Sequence, residues 1–141
     1  MDVFSPEKRS QVMSRIRSKD TKPEKIIRSI LHKLGFRFRI NRKDLPGKPD
    51  IVLPKYRIVI FVHGCFWHQH EGCPRSKKPT SNAQYWNPKL KNNVLRDEKN
   101  ILELEESGWR VFILWECQIK NLVKNPDLLA KMLETIDNKN F

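Results

Sequence analysis

Apolar positions recur at helical spacing in TKPEKIIRSILHKLG, where Ile26, Ile27, Ile30, Leu31 and Leu34 form one stripe. Thr21 and Glu24 stand ahead of it with capping-box spacing, and Gly35 supplies the stop, so a helix is predicted here. Upstream, SPEKRSQVMSRIRSKD opens on Ser5 and Pro6, a cap and first-turn pair, and carries Lys8, Arg9, Arg15, Arg17 and Lys19. That segment reads as a short basic helix with little core. After Gly35 the period changes to two. FRFRI (36–40) alternates apolar and basic residues as a strand with one buried face does, and the Pro- and Gly-bearing NRKDLPGKP is a loop. DIVL and RIVIFVH follow as two strands around a PKY turn, the second apolar almost throughout, as suits a central strand covered on both faces. A polar, proline-bearing stretch runs to about Pro88. The pattern then predicts a helix from Lys89 to Ser107 closing at Gly108, a fully buried strand in WRVFILW (109–115), and a capped terminal helix in NPDLLAKMLETI.

Helix, helix, three strands, helix, strand, helix is the order of an α/β layered domain with a mixed sheet. The connection from Val62 through the 89–107 helix to residue 109 has the length of a crossover, which makes those two strands parallel. Their C-terminal ends then share one edge. The PKY turn makes the 50–53 and 57–62 strands antiparallel, so Asp50 returns to that edge, and Asp50, His63, Cys65 and Cys117 converge there.

Charge changes the picture from a fold to a partner. In 141 residues, enough for one compact domain, 28 Lys and Arg stand against 16 Asp and Glu, a formal net charge of +12. A polyanion partner is expected, with DNA and RNA equally compatible. No apolar run approaches a bilayer span and MDVFSPEKRS lacks a signal-peptide core, so a cytoplasmic protein without a membrane partner is expected. Three cysteines would leave one unpaired in a disulfide framework, which turns attention to metal binding.

HGCFWHQHEGC (63–73) concentrates that chemistry. Cys65, His70 and Cys73, with Cys117 brought in by the fold, form a Cys3His set that zinc holds tetrahedrally, leaving no open position; this zinc would be structural. Of the groups left over, Asp50 heads a strand and is also a common turn residue. Glu24 has a ready role as the reciprocal partner of Thr21, with a metal role in addition. Asp97 shares a helical face with Leu90, Val94, Ile101 and Leu104, and so needs a partner: either a histidine such as His68, which it would orient as a general base, or an arginine at the rim. Carboxylates, a basic surface and a candidate base together suit metal-assisted phosphodiester hydrolysis with Mg²⁺.

HGCFWH, LPGKPDIV, the TxxE helix start, NVLRD and GWRVFILWEC occur in this order over nearly the whole chain, and they resemble the very short patch repair (Vsr) DNA mismatch endonuclease family. The resemblance implies a restriction-endonuclease-like (PD-(D/E)xK) three-layer core with a mixed sheet and a structural zinc site. It implies nicking of one strand of double-stranded DNA at T:G mismatches left by deamination of 5-methylcytosine. Carried over by position, it makes Asp50 the principal Mg²⁺ ligand, helped by the backbone carbonyl of Val62, and His68 the base oriented by Asp97. His63 and Glu24 act near the metals, partly through bound water. Phe66 and Trp67, with Trp86 nearby, form an aromatic wedge beside the mismatch, and Met13 enters from the other groove on the basic helix of residues 1–20. Residues 21–141 then form one nuclease domain with a zinc-stapled loop at 63–73.

Two departures from the family pattern stand out: Val62 replaces a threonine, and HQHEGC sets the second zinc cysteine one residue further along. FVHGC also lacks the acid and lysine of generic nucleases of this fold, so the histidines must replace that lysine, a trait of the family. Two rivals remain. A nickase serving restriction-modification would prefer another lesion or sequence, and a non-catalytic zinc-stapled DNA-binding module would leave Asp50 and Asp97 idle. A monomer is expected, since one active edge suffices for one strand; repair partner proteins are compatible with the sequence.

Overall fold

The structure is a computed structural model and describes residues 21–78 and 80–138; the expected basic helix and Met13 lie outside the described residues. Helix α1 spans Lys22–Lys33. Its cap is Thr21, extended at φ −64° and ψ 161°, whose side chain accepts from the Glu24 N–H, and Pro23 fits the first turn. Ile27, Ile30 and Leu31 carry the buried stripe, each contributing about 1.5–3 kcal/mol by removal from water. Gly35 at φ +89° ends the run.

Strands β1 (Ile51–Leu53), β2 (Ile58–His63) and β3 (Arg110–Trp115) form a sheet in that order. β1 runs antiparallel to β2, with Ile51 opposite Ile60 and Leu53 opposite Ile58. β2 runs parallel to β3, from Ile58 beside Arg110 to His63 beside Trp115. Helix α2 (Ala83–Glu106) makes the crossover between them, and α3 (Ile119–Lys124) and α4 (Asp127–Asn138) complete the chain. Alternation along the strands sorts the core onto two faces. Ile51, Leu53, Ile58, Ile60 and Leu114 pack with residues of α1, α3 and α4, while Val52, Val59 and Phe61 pack with Leu104 of α2 and Trp109. This makes three layers, helices on both sides of a mixed sheet. No helix among the described residues is long and apolar enough to cross a membrane.

Four expectations need correction. The strand expected at 36–40 is a single antiparallel bridge, in which Arg39 and Val52 exchange bonds of 2.8 and 2.9 Å. Phe36 and Phe38 still pack on the core, but β1 offers only three residues to pair with, and Asn41 at φ +58° turns the chain away. Helix α2 begins at Ala83, well before Lys89, and carries Pro88 inside. The missing Pro88 N–H removes one bond near the helix start, where the Trp86 ring, packed on Phe66 and Trp67, anchors the turn. β3 is not buried throughout: Leu114 alone is fully covered, because this strand has only β2 as a neighbour among the described residues. Finally, α3 was not foreseen, since six residues with two buried positions, Ile119 and Leu122, are too few to display a period.

Candidate active site and metal centre

Asp50 follows the buried Pro49 and precedes β1, so the antiparallel register carries it to the C-terminal end of β2. There its Oδ2 accepts from the Val62 N–H at 2.7 Å. Glu24, buried in the first turn of α1, reaches the same place, and its Oε2 accepts from Arg28 at 3.3 Å. Burial pushes the Asp50 carboxyl up to about 7; the Val62 N–H and the Arg28 charge oppose this, while the neighbouring Glu24 adds to it. Two carboxyl groups crowded into a buried space, with the oxygen-rich donor set that Mg²⁺ prefers, fit a divalent cation.

His63 closes β2 and is 5 % exposed. Its ring lies parallel to that of His68, with centroids 3.7 Å apart and planes 5° from coincidence, and meets Trp115 edge-on at 5.2 Å. His63 Nδ1 is buried and has no hydrogen-bond partner among the described residues. Burial lowers its pKa to about 4, helped by the charge of His68 and opposed by Asp97, so the ring is neutral at neutral pH. His68 Nδ1 lies 2.6 Å from Asp97 Oδ2. An ionised carboxylate can only accept, so Nδ1 is the donor in this pair, and in the neutral tautomer Nε2 is the free acceptor. Although His63, His68 and Asp97 could together offer three donors to an ion, a metal would have to lie in the plane of both rings. Stacked parallel rings do not permit that without rotation, so the geometry suits proton transfer better than metal ligation.

Glu24, Asp50, His63, His68 and Asp97 line one cleft of about 780 Å³. Phe66 and Trp67 line it too, half-buried and in contact edge to face at 5.3 Å. Trp86 packs on both, and Tyr85 meets Trp86 at 4.9 Å. The rings are therefore supported by one another and by the first turn of α2. A second support escaped the sequence reading: Asn93 Nδ2 donates to the Trp67 carbonyl at 3.1 Å. Its signal was its place one turn before Asp97 on the same helical face.

Behind the cleft, the donor atoms of Cys65, His70, Cys73 and Cys117 all lie within 4.8 Å of one another. Cys117 Sγ is 3.4 Å from His70 Nδ1. Two ligands of one tetrahedral zinc, one sulfur and one nitrogen, stand roughly 3.5 Å apart, so the spacing fits the ion. Burial pushes the Cys65 thiol up to about 12; the Cys117 backbone opposes this, while the Cys117 and Cys73 thiols add to it, and a cation would reverse the shift by binding thiolates. Two further residues brace the loop. Gln69, at φ +51°, donates its amide to the carbonyls of Phe66 (2.7 Å) and Ser76 (3.1 Å). Trp115 stacks on His70 at 4.1 Å while also touching His63, which joins the sulfur cluster to the cleft. The sequence carried a signal for Trp115 only through its register beside His63.

The sequence model of the family described as DNA mismatch endonuclease Vsr matches residues 1–75. The type II nicking enzyme V.XorIIP of Xanthomonas oryzae pv. oryzae is 51% identical over 86% of this chain and 88% of its own. V.NmeAIP, a type II nicking enzyme of Neisseria meningitidis serogroup A, is 50% identical over 96% of each chain. The DNA mismatch endonuclease Vsr of Escherichia coli K12 is 44% identical over 94% of this chain and 85% of its own. Among solved structures, the catalytic domain of homing endonuclease I-Bth0305I superposes with a TM-score of 0.54 at 18% identity, over 83% of this chain and 98% of that domain. That likeness, with the mixed sheet, identifies the fold as restriction-endonuclease-like α/β.

Proposed function

Because the chain belongs to the Vsr DNA mismatch endonuclease family, we propose that it nicks one strand of duplex DNA at T:G mismatches left by deamination of 5-methylcytosine, by Mg²⁺-dependent hydrolysis of a phosphodiester. The single observation carrying this reading is that one cleft presents a buried carboxyl pair, Asp50 and Glu24, together with a histidine paired to a carboxylate, His68 and Asp97.

In this reading Asp50 and the Val62 carbonyl hold Mg²⁺, with Glu24 and His63 acting partly through water. When bound, the ion supplies charge stabilisation at the phosphate. His68 Nε2 takes the proton of the attacking water, while Asp97 fixes the ring and offsets the imidazolium charge. His63, kept neutral by burial, provides an apolar face that holds the His68 plane. Phe66, Trp67 and Trp86, with Met13 from the basic segment, unstack a base step, at a cost of a few kcal/mol that a mismatch lowers. Lysines and arginines bind phosphate without reading sequence. The Cys65, His70, Cys73, Cys117 zinc holds the loop that carries both the rings and His68. The protein acts as a cytoplasmic monomer, with repair partners recruited afterwards.

Incubation of T:G and fully paired duplexes of one sequence with protein, with and without Mg²⁺, tests this. Nicking of the T:G duplex alone and only with Mg²⁺ is expected. Equal nicking of paired DNA, or activity undiminished without a divalent ion, overturns it. A second reading, a restriction-modification nickase preferring another lesion or sequence, is favoured by the similarity to V.XorIIP and V.NmeAIP. A panel of all mismatches in varied flanking sequences separates the two. The non-catalytic DNA-binding module predicts binding without nicking on every member of the panel.

A further inference from the structure

In the loop before β1, Lys48 has a left-handed backbone, φ +49°. A lysine rarely adopts this conformation, and the residue before a proline, here Pro49, is normally driven to an extended one. Packing imposes the exception. The Lys48 N–H donates to the Leu45 carbonyl at 3.1 Å. Gly47, itself at φ +72°, lies so close to α2 that an added Cβ would come within 3.0 Å of the Asn100 side chain. Pro49, which follows, is buried. Backbone held against its preference concentrates where position serves function.

The position gained is specific. Lys48 lines the 780 Å³ cleft and also an adjoining pocket of about 40 Å³, and only Glu24 and Asp50 share that double placement. It stands in the wall made by the two carboxyl groups. Of the other cations of the small pocket, Arg28 is engaged with Glu24 at 3.3 Å and Arg42 with Asp44 through two contacts of 2.8 Å, while Lys43 does not line the cleft. The Lys48 side chain has no hydrogen bond or ion pair among the described residues. A phosphate approaching Asp50 meets repulsion from this wall, and an unengaged ammonium within it offsets that repulsion.

We propose that Lys48 is a phosphate-contacting residue that takes a backbone phosphate of the nicked strand next to the scissile one. The phosphate lies on the side away from the aromatic group, since Phe66 and Trp67 line the cleft but not the small pocket. The proposal rests on the endonuclease reading and adds the path of the cut strand across the site.

The test combines protein variants with T:G duplexes in which single phosphates flanking the cleavage position are replaced by neutral methylphosphonate. Lys48→Ala should nick the unmodified duplex about 10- to 100-fold more slowly in single turnover, the loss of one charge-assisted contact. On the duplex lacking the phosphate that Lys48 holds, the parental protein slows similarly and Lys48→Ala loses nothing more. Lys48→Arg should retain the parental rate within a few-fold. Lys48→Gly relieves the left-handed backbone, so it should be as slow as Lys48→Ala with a thermal midpoint unchanged or raised by up to roughly 3 °C. An undiminished rate in Lys48→Ala, a penalty that persists whichever phosphate is neutralised, or a fall of midpoint in Lys48→Gly overturns the proposal. Absent nicking by the parental protein would instead refute the endonuclease reading, and the same cycle measured by equilibrium binding then decides Lys48.

Discussion

Replacing Asp50 by Asn should make the metal-free protein more stable and inactive at once. The Asp50 carboxyl is pushed from 3.8 to about 7, first by burial, and its Oδ2 accepts from the Val62 N–H at 2.7 Å. An amide oxygen can accept that same bond, so Asn keeps the contact and removes only the charge. A folded-state pKa raised above the unfolded one contributes stability that is complete below about 3.8 and lost as pH rises through about 7. At about 1.4 kcal/mol per pH unit this comes to about 4 kcal/mol at full ionisation. Part of that is recovered by relaxation around the charge, which leaves about 2–4 kcal/mol for the variant to gain. In magnesium-free buffer at pH 8, Asp50→Asn should therefore unfold roughly 6–12 °C above the parental protein, the gap narrowing steadily towards pH 4. Thermal melts of both proteins across this range, compared at each pH so that other groups cancel, give the measurement. Adding Mg²⁺ should raise the parental midpoint and leave that of the variant in place, since only the parental carboxylate binds the ion. A variant no more stable at pH 8 than at pH 4 relative to the parental protein would refute the buried-charge reasoning.

Zinc should co-purify at about one equivalent, and its chelation or Cys117→Ala should unfold the 63–73 loop and abolish nicking; metal analysis without zinc, or an unchanged fold after its removal, would count against the site. Trp67→Ala should lower the preference for mismatched over paired DNA more than it lowers DNA affinity, and equal losses on both duplexes would exclude the wedge. Asp97→Asn should slow single-turnover nicking about 10- to 100-fold and His68→Ala more, with binding retained in each. The double variant should be no slower than His68→Ala, because Asp97 acts through that ring; additive losses would show that it does not.

Much of the site was legible because its placement follows from chain order. The stripe of α1, the antiparallel return at PKY and the crossover through α2 suffice to bring Asp50, His63, Cys65 and Cys117 to one edge, whatever the exact element ends. Asp97 could be singled out as a carboxylate on an apolar helical face, and its partner is His68 at 2.6 Å.

The remaining features depend on packing that no local pattern encodes. Alternation in FRFRI reports that Phe36 and Phe38 face the core, yet whether they form a strand depends on how many residues β1 has free to pair. Pro88 reads locally as a helix boundary, but contacts of Trp86 with a loop distant in sequence carry the helix past it. Residue identity and spacing thus determined which groups meet at the sheet edge, because strand direction and helix period are set by local sterics. Only the tertiary structure decided their states and angles: the raised Asp50 carboxyl, the parallel His63 and His68 rings and the strained Lys48 backbone all arise from burial and from contacts between segments far apart in the chain.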